Sequence, residues 1–290
     1  MTRAAARAAY LGGDFHTAAQ LVETALETAS PSEAAMLRCD LTRYLYLVGR
    51  SAAAQDQLRV AGTLARGGRD EAEATWLATT GWLRLHHLEF ALAIDAAREA
   101  LELARTLGLA EIEADVLGQI ASLEVVQLSP EKGLARAEEA IAAARAIGDL
   151  DLVAEIYVNV AASLETMGDQ AGATAYLEQK LPIVEAFPRP TLAGTFLKLA
   201  LAQLLTHEDR IDEAAHIVGG MDPRRLHGVT RILFRLTQAE IAAKVGNLSA
   251  AMLWIDELDI SGWAYSDQWH TQLDELLKVV AEGFDRPTDD

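Results

Sequence analysis

Residues 13–26 read GDFHTAAQLVETAL, and altered copies of this stretch return along the whole chain. In each copy a turn residue is followed five positions later by a small side chain, as in Gly13 and Ala18, Gly168 and Ala173. A unit of about 40 residues with small side chains at fixed offsets is typical of a solenoid built from pairs of helices.

The repeat becomes regular when each unit is aligned on the residue that turns between its two helices. Successive turns lie 36 to 41 residues apart, at Gly13, Gly49, Leu88, Leu128, Gly168, Asp209 and Gly246. Glycine suits such a turn because it adopts positive φ without a Cβ clash. The small residues five positions later are Ala18, Ala54, Ala93, Gly133, Ala173, Ala214 and Ala251. A larger side chain there would hold the paired helices apart.

This pattern predicts an all-α solenoid of about seven antiparallel helix pairs. A closing helix is expected over residues 266–282, followed by a polar tail at 283–290, because a solenoid has to cover its last apolar face. Three prolines at 182, 188 and 190 predict a bend or sub-array boundary near 182–192. The core should be elongated, since each pair buries its apolar face against its neighbours.

Composition narrows the function classes. The 43 acidic and 25 basic residues give a formal charge of −18, which repels phosphate backbones, so we expect no direct nucleic-acid partner. No apolar run reaches the ~20 residues that span a bilayer, and we expect no membrane partner. The one cysteine, Cys39, excludes an internal disulfide and fits a reducing cytoplasm.

Residues able to do chemistry do not form a recognisable motif. His86 and His87 are adjacent, and adjacent helical side chains point about 100° apart, so they do not chelate one ion together. His207 and His216 lack the spacing of a zinc hydrolase. Cys39 has no CxxC partner and reads as a small packed side chain. We therefore predict no catalytic residues, no metal and no cofactor.

The turn and small-residue positions resemble the tetratricopeptide repeat family over nearly the whole chain. In the fifth unit the matching residues are Tyr157, Val160, Ala161, Leu164, Gly168, Asp169, Ala173, Leu177 and Leu181. The units exceed the family's usual length of about 34 residues. Longer units, with phrases such as those at 97–108 and 137–149, are similar to the repeat regions of bacterial maltose-activator-type transcriptional regulators. The resemblance implies a right-handed superhelix with a concave groove.

The family's groove positions, carried over unit by unit, imply a partner-binding surface on the first helix of each pair. The implied residues are Arg43, Tyr46, Trp82, His86, Gln119, Ser122, Asn159, Glu165, Gln203, His207, Thr237 and Glu240. Large side chains such as Tyr46 and Trp82 suit binding hot spots if they are exposed. The family's carboxylate clamp for chaperone tails is not reproduced, because Cys39 with Arg43 and Ala78 with Trp82 occupy its places.

These observations favour a non-catalytic module that binds a protein or peptide in its groove, as the sensor or scaffold of a bacterial regulatory system. The alternative is a receptor for a small ligand or peptide signal, or an unrecognised enzyme, with a closed pocket around Trp82, His86 and Gln119. A homodimer through the aromatic end of the chain, with Trp254, Trp263, Tyr265 and Trp269, is a further possibility.

Overall fold

A computed structural model describes residues 2–256, 258 and 266–284, and this part of the chain folds entirely into helices and connecting turns. The first helices of the seven pairs are α1 (Thr2–Leu11), α3 (Pro31–Leu47), α5 (Glu71–His86), α7 (Ala110–Gln127), α9 (Leu150–Thr166), α11 (Leu192–His207) and α13 (Gly228–Lys244). The second helices are α2 (Phe15–Leu26), α4 (Ser51–Ala65), α6 (Phe90–Leu107), α8 (Pro130–Ala146), α10 (Gln170–Glu185), α12 (Ile211–Gly219) and α14 (Leu248–Asp256).

The pairs stack into an array in which first helices lie next to first helices. From α3 to α13, each first helix contacts the first helix of the next pair, and the second helices form the other layer. A last helix, α15 (Ser266–Phe284), packs on both α13 and α14. The predicted all-α solenoid of seven helix pairs is thus confirmed. No helix in the described ranges is long and apolar enough to cross a membrane.

The turns within the pairs lie where the repeat predicts them. Six of the seven turn residues have positive φ, from 59° at Leu88 and Asp209 to 82° at Gly168. Leu128 is the exception, with φ −118°. Here Ser129 caps α8 by accepting the Lys132 N–H, and Pro130 supplies a first helical residue of fixed φ, so the chain turns without a left-handed residue.

The small residue that follows each turn lets the two helices of a pair approach closely. All seven of these positions are buried. Gly133 marks the tightest approach, because a Cβ built on it would lie 2.6 Å from the Val125 nitrogen and 2.8 Å from the Ala121 carbonyl oxygen of α7. Both are backbone atoms, which cannot rotate away, so only glycine fits between α7 and α8 at this point.

The two ends of the array meet. Phe15, at the start of α2, is buried in one cluster with Val48 of the second pair and with Val229, Ile232 and Leu236 of α13. The turn at Gly13 lies against His227. We call this contact between the first pair and the later pairs the seam. It differs from the elongated form expected from the repeat, because the array curves far enough to bring pair one onto pair seven.

Other expectations concern the second half of the array. Pro182 lies inside α10, and the connection to α11 spans residues 186–191. A bend or sub-array boundary at 182–192 stays a prediction. Of the predicted polar tail at 283–290, the first two residues belong to α15, and residues 285–290 lie outside the described residues.

We predict that Gly133→Ala destabilises the protein by about 1–3 kcal/mol, because the added methyl group forces α7 and α8 apart. Alanine's better helix propensity, worth about 1 kcal/mol in an open helix, acts in the opposite direction. Urea unfolding measures the change. Gly219→Ala is the matched control, since nothing lies within 4 Å of its added Cβ. A Gly133→Ala variant as stable as this control would contradict the close-approach argument.

Candidate binding surface

Two arginines identify which side of each first helix faces the inside of the curve. The Arg43 guanidinium on α3 lies 2.5 Å from the Asp115 carboxylate on α7, two pairs further along. The Arg7 guanidinium on α1 lies 2.8 Å from the Asp149 carboxylate that caps α9. Only side chains on the concave side can reach past an intervening pair. Both arginines lie six residues before the turn of their own pair. The side chain at this position of a first helix therefore points to the concave side, and we call this position the inward register.

The same register selects one inward residue in every pair. These residues are Arg7, Arg43, Trp82, Ser122, Ala162, Gln203 and Glu240. Their exposure changes along the array: Trp82 and Ser122 in pairs three and four are buried, whereas Ala162 in pair five is exposed. The inner surface is thus filled by packed side chains in pairs three and four and is most open at Ala162 in pair five.

In the closed half, the predicted groove residues of pairs two and three pack on one another. The Trp82 ring lies 5.3 Å from the Tyr46 ring and 4.2 Å from the His86 ring, and the Arg43 guanidinium lies 5.3 Å from the Trp82 ring centre. Burial lowers the pKa of His86 to about 4, so its imidazole is neutral at pH 7. Arg43, Tyr46, Trp82 and His86 therefore form one packed cluster on the inner side of pairs two and three.

The expectation that Tyr46 and Trp82 are exposed in the groove is wrong. Tyr46 is 3% and Trp82 5% exposed. The curvature that closes the seam also drives these rings against each other, and burial of such large apolar areas stabilises that arrangement. They are core residues of the inner wall, with little surface for a partner or a pocket.

Three further residues assigned to the groove are not accessible to a partner either, because the side chains of Gln119, Ser122 and Thr237 are buried. The Ser122 and Thr237 hydroxyls donate to carbonyls of their own helices. The Gln119 amide lies over Gly81 of α5, and neither of its polar atoms has a partner in the described part of the chain. Gln119 and Thr237 lie three residues before the inward register, which turns them about 60° from the concave side.

The open half keeps several predicted residues accessible. Glu165 and His207 are exposed, while Asn159, Gln203 and Glu240 are half-buried. Surrounding protein raises the pKa of Glu165, and His207 on the next first helix partly offsets that rise. The Gln272 amide of α15 donates to a Glu240 carboxylate oxygen at 2.6 Å. A surface of mixed polarity therefore runs across α9, α11 and α13 near their turns.

A second inward feature joins these two halves, and the sequence-based assignment missed it. Five carboxylates face the inside from the N-terminal parts of α7 and α9, and we call them the acid wall: Glu111, Asp115, Asp149, Asp151 and Glu155. Asp115 and Glu155 lie seven residues, or two helical turns, before the inward residues Ser122 and Ala162. Residues seven positions apart lie on the same face of a helix, so this spacing could have identified Asp115 and Glu155 as inward residues from the sequence.

Glu155 is the most perturbed member of the acid wall. Burial first, and then the neighbouring Asp115 carboxylate, raise its pKa to about 7 against the opposing effect of Arg43. Asp151 and Asp149 act in the same direction as Asp115. In the described part of the chain, Glu155 forms no direct ion pair, although Arg43 lies close enough to lower its pKa. Asp151 accepts the N–H of Ala193 at the start of α11.

The cysteine and the possible metal ligands do not form a reactive site in the described part of the chain. Cys39 is buried, and burial raises the pKa of its thiol to about 12, which suits a packed side chain better than a nucleophile. Among the described residues, no group of three histidine, cysteine or acidic side chains is arranged to hold a metal ion.

The aromatic end of the chain is described only in part. Trp254 is half-buried and lies edge-on to Phe234, with ring centres 6.0 Å apart. The side chains of Trp263, Tyr265 and Trp269 lie outside the described residues. Dimerisation through this end stays a prediction.

No protein-family model and no curated protein matches this chain. Several solved structures are similar to it. The Rap protein complexed with Competence and Sporulation Factor is similar over 91% of this chain and 73% of its own, with 16% identity and a TM-score of 0.57. NprR in complex with its cognate peptide NprX is similar over 100% of this chain and 82% of its own, with 16% identity and a TM-score of 0.55.

A third similar structure is a STAND signal-transduction ATPase with a tetratricopeptide repeat sensor from Pyrococcus horikoshii. It is similar over 96% of this chain at 17% identity and a TM-score of 0.50, and the chain spans only 44% of that protein. Identities this low show the fold alone, which is a solenoid of helix pairs like those in these tetratricopeptide repeat structures. The narrower resemblance to maltose-activator-type regulators stays a prediction.

We predict that Glu155→Gln stabilises the protein, and more so at pH 8.5 than at pH 5.5. A carboxyl whose pKa is raised on folding contributes most below its unfolded value of 4.5, and the contribution is lost as pH rises through about 7. Removing the charge therefore helps most above pH 7. We expect the gain at pH 8.5 to exceed that at pH 5.5 by about 1 kcal/mol, allowing for residual contact with water.

Urea unfolding at the two pH values measures the difference. Glu99→Gln on the exposed side of α6 is the control, and its effect should not change with pH. An equal effect of Glu155→Gln at both pH values would contradict the desolvation of the acid wall.

Proposed function

We propose that this chain is a non-catalytic binding module that takes a protein or peptide on its open inner surface, as the sensor or scaffold part of a bacterial regulatory system. The observation that carries the proposal is the contrast along the inward register. The inward residues of pairs three and four are packed, whereas Ala162 on α9 is exposed. Gln203 on α11 and Glu240 on α13 are half-buried.

The polarity of the open surface supports a peptide or protein partner. Ala162 and Thr166 expose small side chains beside Glu165, and His207 follows on the neighbouring first helix. A stripe of small residues flanked by charged ones accommodates an extended or helical segment and supplies groups for hydrogen bonds to it. NprR, whose fold is similar, was solved with its cognate peptide, and this likeness gives the proposal a structural precedent.

A receptor with a closed pocket around Trp82, His86 and Gln119 is less well supported. Trp82 and Gln119 expose almost no surface to a ligand, and the rings of Tyr46 and His86 fill the space beside Trp82. The cleft of about 390 Å³ between α10, α11 and α12, lined by Leu181 and His216 among others, lies in a different part of the array.

The proposal is tested by affinity purification of the full chain from its native host, followed by mass spectrometry. Glu165→Lys reverses a charge on the open inner surface, and Glu99→Lys makes the same change on the exposed side of α6. We expect a partner that the wild type and Glu99→Lys retain equally and that Glu165→Lys recovers at least tenfold less. Circular dichroism first establishes that all three proteins are equally helical.

Partners recovered in equal amounts by Glu165→Lys and Glu99→Lys would show that the inner surface of α9 is not where they bind.

A further inference from the structure

Helix α1 is the most weakly held first helix in the array. It has ten residues, fewer than an isolated helix needs to be stable in water. Of its described side chains only Ala6 is fully buried, while Arg3 and Arg7 are exposed and Tyr10 is half-buried. By comparison, α3 buries eight residues. The departure of α1 is therefore opposed mainly by the Arg3–Asp40 and Arg7–Asp149 ion pairs and by the packing of Tyr10, with little further apolar burial.

Two side chains of α1 engage the inside of the array. The Arg7 guanidinium donates to Asp149 at 2.8 Å and lies 3.5 Å from Glu111, so it bridges the beginnings of α7 and α9. One helical turn later, the Tyr10 ring stacks 5.2 Å from the Tyr44 ring of α3. A guanidinium followed at three residues by an aromatic ring is thus bound on the concave side.

The surface beneath α1 is strongly acidic. The acid wall has five carboxylates, and the arginines that pair with it are Arg7 and Arg43. Without Arg7, the Arg43 guanidinium would be the one cation paired with these five carboxylates among the described residues. The Glu155 carboxyl, which lacks an ion-pair partner among the described residues, would then be available to an incoming base. Charge complementarity therefore favours a cationic occupant over a neutral one.

We propose that α1 occupies, from within the chain, the binding subsite of an external peptide that presents an arginine and, one helical turn later, an aromatic residue. This inference rests on the proposed function and names the partner's chemistry. The partner and α1 compete for the acid wall and for Tyr44. Binding therefore requires α1 to move away, which makes α1 an internal inhibitor of the module.

The acid wall is continuous with the open inner surface. On α9, Asp151 and Glu155 lie within about 20° of the inward direction set by Ala162. Glu165, near the end of the helix, lies about 60° from that direction and is exposed. A peptide whose arginine replaces Arg7 at Asp149 and whose chain follows α9 would reach the exposed side chains near Gly168. The subsite and the open surface are two parts of one binding path.

The test uses a fluorescently labelled synthetic peptide with the sequence of residues 2–11, TRAAARAAYL, and the full chain. In the wild type, the chain's own α1 competes with the peptide. In an Arg7→Glu, Tyr10→Ala variant, α1 is repelled from the acid wall and loses its ring contact. We expect the labelled peptide to bind this variant at least tenfold more tightly than the wild type, as measured by fluorescence anisotropy.

Two controls locate the binding. Adding Asp149→Asn and Glu155→Gln to the displaced variant should abolish its gain in affinity for the peptide. The fold is kept, because asparagine at position 149 can still cap α9. A peptide carrying Arg7→Glu should not bind any of the proteins. Arg7→Ala serves as a milder displacement of α1 if the double variant loses helicity by circular dichroism.

Equal binding of the peptide to wild type and displaced variants, or binding that persists after the Asp149 and Glu155 changes, would overturn the inference. Absence of binding to every displaced variant would overturn it as well. Because the peptide copies α1, this result is independent of the cellular partner. If the host partner still depends on Glu165, the proposed function stands while the inference about α1 fails.

Discussion

The curvature of the array depends on the contacts made across its inner side. In a solenoid each unit ordinarily contacts only its neighbours, and the path of the array follows from small rotations added pair by pair. Here the Arg43–Asp115 and Arg7–Asp149 ion pairs link helices that are not neighbours, and the buried Phe15 joins pair one to pair seven. These contacts select one curvature among those that the pairs alone would permit.

That curvature divides the inner surface into two parts with different properties. Pairs two to four close on themselves, so Tyr46, Trp82 and His86 become packed residues and His86 loses its charge. Pairs five to seven stay open near their turns. The carboxylates of the acid wall on α7 and α9 lie between the two parts. Burial raises the pKa of Glu155, so folding works against the ionisation of this carboxyl. Groups that oppose folding are candidates for a role in binding.

The sequence predicts the units well and their arrangement in space poorly. Turn residues and the small residues after them are local features, set by positive φ at Gly168 or by the close approach at Gly133, and both are readable from spacing. Arg43 and Asp115 are 72 residues apart, and no local rule relates them. The exposure of Trp82 depends on the sum of many small rotations. Gln119 was misplaced because three residues on a helix amount to a 60° error in direction.

The seam also fixes how many units this array has between its ends. An open solenoid gains or loses a repeat easily, because a new unit needs only to fit its two neighbours. In this chain Gly13 and Phe15 of the first unit fit a surface at the start of α13. An extra pair inserted between them would place a different helix opposite Phe15. Closure therefore converts a structure that could grow by duplication into one with a defined length.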